Sequence, residues 1–144
     1  SKESPEYLRT TFIAHEGLHG MYFTDEAFRS TVAAVYTMMD SRSLAFLTRY
    51  FEYTPTLNYD TSDTYLMHNE LMAYLLQQQV YRIPAYFAEN LAIRKSVNDN
   101  EPELAQYVRE TNAQGFVDAA TILEEYLYQR WGFAAGRVSL VFRD

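Results

Sequence analysis

Cysteine is absent from the 144 residues. Disulfides and thiolate metal sites are thereby excluded, so any zinc ligand must be a histidine or a carboxylate. Histidine itself is scarce, at three. Basic charge is in short supply too. The 12 Lys and Arg face 19 Asp and Glu, giving a net charge of −7, and the longest basic run is Arg94-Lys95. Nucleic-acid binding needs a basic face, so no nucleic-acid partner is expected. No apolar run approaches the roughly 20 residues of a transmembrane helix, and no signal-peptide pattern is present. The opening SKESPEY reads as the start of a trimmed segment, and the chain as a piece of a longer protein. Lack of cysteine fixes no compartment; the reading leans to a bacterial envelope or secreted protein.

What is present describes an ordinary globular chain. Hydrophobic residues make up 48% and charged residues 22%, a balance that supports one domain over residues 1–144 with a sizeable core. Aromatics reach 16%, with 13 Tyr and 9 Phe. Cores use aromatics as readily as binding grooves do, so a core is the first reading and a groove for peptide or sugar the second.

Apolar spacing is helical nearly throughout. Pro5 suits the first turn of a helix, and Leu8, Phe12, His15, His19 and Tyr22 carry it to about Tyr22. Thr24 is the expected cap of a second helix, with Asp25 and Glu26 in its first turn. A third starts at Asp40 or Ser41. The stretch TPTLNYDTSD (54–63) is a loop of turn formers. A fourth helix is expected from Thr64 to about Val80 and a fifth from Pro84 to about Ser96. NDNEP (98–102) is a break and Pro102 opens a sixth. Gly115 marks the break before a last helix ending near Trp131-Gly132, and RVSLVFRD (137–144) is read as a short C-terminal strand.

The sharpest motif is HEGLH, at 15–19. Residues four apart lie on one helix face, so His15 and His19 can direct two imidazoles at one ion. Glu16 is offset by one residue and can reach a water at the ion without ligating it. That is the mechanical content of H-E-x-x-H: two ligands and a general base. Gly17 and Gly20 flank the histidines. Mid-helix glycine costs about 1 kcal/mol relative to alanine, so close approach of a metal, a substrate or another helix is expected there.

Catalytic zinc takes three protein ligands and keeps one position open. Four residues compete for the third place. Asp25 stands where a metzincin-type ligand would, but that pattern needs glycine at the position of Tyr22, and Asp25 also reads as a helix-start residue. Asp63 reads as the N-cap of the fourth helix. His68 is two residues from Glu70 and therefore points to a different side. Glu70 lies mid-helix among Leu66, Leu71, Ala73, Tyr74 and Leu75. A buried carboxylate there needs a partner, and zinc would serve.

HEGLH (15–19) followed by NELMAY (69–74) resembles the gluzincins, the thermolysin clan of zinc peptidases, which join an HExxH helix to a glutamate ligand on a later helix. The resemblance spans some sixty residues, from His15 to Tyr74. It implies Zn2+ held by His15, His19 and Glu70, with Glu16 as general base and proton shuttle. It also implies a tyrosine or histidine that donates to the oxyanion. Tyr74, one turn after Glu70, is the first choice, with Tyr65, Tyr81 and His68 behind it. Asn69 and Asp63 are the choices for orienting the histidines. Gluzincins commonly place a β-sheet before the HExxH helix, whereas only fourteen residues precede His15 here. The sheet is therefore missing or minimal in this chain.

The expectation is thus a mainly α, multi-helix, gluzincin-like domain that hydrolyses peptide bonds of a peptide or protein substrate. The rival readings are a helical protein-binding or scaffold module with a structural or vestigial zinc site, and a metal-free helical bundle.

Overall fold

A computed structural model describes residues 5–137. Within them the protein is mainly helical. Seven α-helices follow one another: α1 (Pro5–Thr24), α2 (Glu26–Met38), α3 (Ser41–Glu52), α4 (Thr64–Leu76), α5 (Lys95–Asn100), α6 (Pro102–Glu110) and α7 (Gln114–Trp131). Short 3-10 and π turns fill the connections after α3 and α4. Among the described residues there is no strand, only an isolated bridge between Ala134 and Arg137. The expected strand lies almost wholly outside them.

The centre of the molecule is α4. Met67 and every residue from Leu71 to Leu76 are buried. A helix apolar on all sides belongs inside, and α4 is flanked by α1, α2 and α7. The buried stripe of α1 is Ala14, Leu18 and Tyr22, at intervals of four. His15 and His19 follow Ala14 and Leu18 by one residue each, so the packing that seats this stripe brings both imidazoles to the border of α4. A second group, α3, α5 and α6, closes the other side. It meets α7 through Phe116, whose ring stacks on Phe87 at 4.0 Å and meets Phe46 edge-on at 6.2 Å.

Several boundaries differ from expectation. The cap of α2 is Asp25, whose carboxylate accepts from the Phe28 N–H at 2.7 Å. The Thr24 hydroxyl instead donates back to the Gly20 carbonyl. Asp40 and Asp63 cap α3 and α4 in the same way. Helix α4 stops at Leu76 rather than Val80. The buried Gln78 side chain donates to the carbonyls of Tyr74 and Leu75, and the Gly136 N–H donates to that of Leu76. The orphan carbonyls of the helix end are thus satisfied without another turn. The stretch from Pro84 is a π turn (Pro84–Ala88) and a 3-10 turn (Leu91–Ile93), with α-helix only from Lys95. The break before α7 lies at Asn112 and Ala113, both at positive φ. Gly115 is inside the first turn of α7, where a Cβ would collide with Ser43 and Asp40.

Candidate metal centre

Helices α1 and α4 bring His15, His19 and Glu70 together. His15 Nε2 lies 3.5 Å from Glu70 Oε2, and His19 Nε2 lies 3.5 Å from Glu70 Oε1. One ligand atom from each residue falls within 4.8 Å of the others. Ligand atoms at zinc–nitrogen and zinc–oxygen bond lengths in a tetrahedron stand roughly 3.3 Å apart. The observed spacing is therefore that of atoms disposed around a single small cation. Among the described residues no further imidazole or carboxylate joins them.

The other ring nitrogens are held from behind. His15 Nδ1 donates to Gln77 Oε1 at 2.8 Å, and His19 Nδ1 donates to Asn69 Oδ1 at 2.7 Å. An amide oxygen only accepts, so both Nδ1 atoms carry the proton and both Nε2 atoms turn a lone pair toward Glu70. Two lone pairs then face a carboxylate, which also offers only lone pairs. Glu70 Oε2 is buried and has no hydrogen-bond partner. Such an arrangement is costly unless a cation or protons occupy the middle. The electrostatics of His15 fit that need. Burial opposes its charge, but the protonated ring can donate to both Glu70 and Gln77, and these bonds with the charges of Glu70 and Glu16 outweigh burial and raise its pKa above 6.5.

Fixing both histidine tautomers through Nδ1 is the usual way a protein orients zinc-binding imidazoles. Asn69 was among the expected orienting residues, while Asp63 is used as a helix cap. Gln77 was not anticipated. Its signal was present in the spacing, since it follows Glu70 by seven residues, two turns on the same face of α4. Asn69 and Gln77 are only 7% and 6% exposed.

The competing ligands stand elsewhere. Asp25 caps α2 and pairs with Arg130 at 3.2 Å. His68 packs against the Tyr36 ring at 4.4 Å, and burial lowers its pKa. Close approach at Gly20 is not found, since a Cβ there would meet nothing within 4 Å.

A cavity of about 440 Å³ opens beside the centre, lined by His15, Glu16, Tyr59, Tyr74, Gln77, Tyr86, Asn90 and Arg94 among others. Its size is that of a small-ligand pocket. Glu16 is thus on the same wall as His15, exposed to the cavity rather than to the ion's ligand set. Tyr74 is buried, its ring 5.4 Å from that of His15 and edge-on to it. Burial first, then neighbouring tyrosines, push its pKa far up, so its hydroxyl keeps its proton. Tyr59, from the loop before α4, was missed in the sequence. Its hydroxyl stands between Glu70 and Tyr74; burial and then the Glu70 charge raise its pKa strongly. Tyr81 and Tyr65 are 75% and 45% exposed and line no part of this cavity.

Comparison with family models, with curated proteins and with solved structures finds no match for this chain.

Proposed function

We propose that the protein is a zinc-dependent peptidase of gluzincin type, with His15, His19 and Glu70 as ligands. The observation that carries this reading is the pair of Nδ1–H···O bonds to Gln77 and Asn69, which aim both Nε2 lone pairs at the Glu70 carboxylate. Zinc bound there would act as Lewis acid toward the scissile carbonyl and acidify water. The remaining chemistry belongs to the chain. Glu16 takes one proton from the attacking water as its oxygen bonds to the carbonyl carbon. It returns that proton to the nitrogen as the C–N bond breaks, releasing an acid and an amine. Tyr74, fully protonated and next to His15, is the donor for the developing oxyanion; Tyr59 is its neighbour and the alternative.

The rival reading, a scaffold module with a structural zinc, is favoured by the lack of any strand among the described residues. No sheet edge is therefore present there to align a peptide by backbone pairing. Against it stand the three-residue ligand set and the open cavity, because structural zinc takes four protein ligands. Substitution separates the two. Glu16→Gln in an enzyme lowers kcat for peptide hydrolysis by roughly 10²–10⁴-fold, the usual worth of a general base, while one zinc per chain is retained. A protein that binds zinc but cleaves no peptide, with or without Glu16, would support the scaffold.

A further inference from the structure

The cavity beside the metal centre has two kinds of charged group in its lining. His15 and Glu16 belong to α1. Arg94 is the one arginine or lysine among its lining residues. Arg94 makes no ion pair with any carboxylate among the described residues, although the chain carries an excess of acid. Its guanidinium is nonetheless held in place. Nη1 donates to the Tyr50 hydroxyl at 2.7 Å, and Nε and Nη2 donate to Asn90 Oδ1 at 3.3 and 3.2 Å. Guanidinium has five N–H groups. Three are used, and one on each terminal nitrogen remains. A fixed guanidinium with a free N–H on both terminal nitrogens is suited to a planar, two-oxygen anion.

Much of the remaining lining is aromatic or apolar. The Tyr74 and Tyr86 rings lie side by side, centroids 6.3 Å apart and tilted by 48°, and Leu8 and Phe12 of α1 add apolar surface. Leu8 and Phe12 are 55% and 65% exposed, which is unfavourable for large apolar side chains unless something covers them. A cavity of this volume takes a small ligand rather than a long strand of peptide.

We infer that Arg94 binds the C-terminal carboxylate of a short peptide, whose apolar last residue lies against the aromatic and apolar lining while the preceding peptide bond reaches His15, Glu16 and Glu70. The protein would then remove residues from a free C-terminus. The cleavage part of this inference rests on the peptidase reading above; the carboxylate site does not. Such a site also supplies what a sheet edge, absent among the described residues, would otherwise provide, a means of setting the substrate's register.

The test uses zinc-loaded Glu16→Gln protein, titrated calorimetrically with N-acetyl-Phe-Leu as the free acid and as the C-terminal amide. N-acetyl-Phe-Asp-amide supplies a carboxylate on the side chain instead. The acid is expected to bind at least tenfold more tightly than either amide. Adding Arg94→Ala should remove that preference and leave the binding of both amides unchanged. Arg94→Lys should restore part of it. One zinc per chain in each variant verifies that the centre is intact.

Equal binding of acid and amide overturns the inference. So does an acid preference that survives Arg94→Ala, which would place the carboxylate on the metal. Binding of the aspartyl amide as tight as the acid would overturn the assignment to a C-terminus. Cleavage by the wild type is read separately. Hydrolysis of amide and acid at equal kcat/KM, unaffected by Arg94→Ala, overturns the inference and leaves the peptidase standing. No hydrolysis, with the Arg94-dependent preference intact, removes the peptidase and supports the carboxylate site.

Discussion

Two amide side chains turn a histidine pair into a directed one. Without Gln77 and Asn69 the imidazoles of His15 and His19 could rotate or present either nitrogen. With them, each Nδ1–H is committed and each Nε2 is available. Replacing Asn69 or Gln77 by alanine should therefore weaken zinc binding by roughly 10–100-fold, measured by competition with a chromophoric chelator. Unchanged affinity in both variants would mean that the amides hold the apoprotein together rather than orient ligands. Titration tests the same geometry. In the metal-free protein His15 is expected to stay protonated above pH 6.5, because the Glu70 carboxylate and Gln77 outweigh burial. His68, where burial acts alone, should lose its proton below pH 6.5. Histidine ring resonances followed by NMR would show the order, and zinc should abolish the His15 titration. At this scale the meeting of His15 and His19 on one face was legible, because i, i+4 spacing on a helix is a matter of sequence. Glu70 was legible as a carboxylate in an apolar stretch that needs a partner. Gln77 and Tyr59 were not read. A glutamine near a helix end looks solvated until its face is known, and Tyr59 reaches Glu70 only through the path of a loop.

Helices α1 and α4 hold His15, His19 and Glu70 together through their apolar faces. Leu18, wholly buried, lies between the two histidines on the stripe that seats α1. Leu18→Ala should cost about 2–5 kcal/mol of stability in urea unfolding and weaken zinc binding as well, since the centre spans both helices. Loss of stability with unchanged zinc affinity would show that the ligands do not depend on this contact. Most helix starts were legible, because proline and aspartate act locally: Pro5, Pro102, Asp40 and Asp63 all stand where helices begin. The end of α4 was not. It is set by Gln78 and by the distant Gly136 N–H, and tertiary partners leave no local mark. The region after Pro84 failed for a related reason. Its apolar residues Phe87, Ala88, Leu91 and Ala92 are buried against neighbours, which gives helical spacing to a chain that only turns.

As a whole the molecule is a helical body built around α4, with the candidate metal centre where α1 meets that helix. Mainly α was readable from spacing alone. The cavity was not, since Arg94 and His15 are 79 positions apart by number and meet one cavity only through the fold. Binding of zinc by the native state alone would stabilise it by about 2.7 kcal/mol at a hundred times the dissociation constant. For a chain of this size Tm should then rise by roughly 5–10 °C.

The most direct measurement is the zinc content of protein purified without added metal, by mass spectrometry, in the wild type and in Glu70→Ala. The account predicts about one zinc per chain in the wild type, lost or much weakened in the variant. Zinc that survives Glu70→Ala at full occupancy, or a wild type that takes up none even when zinc is supplied, would contradict it.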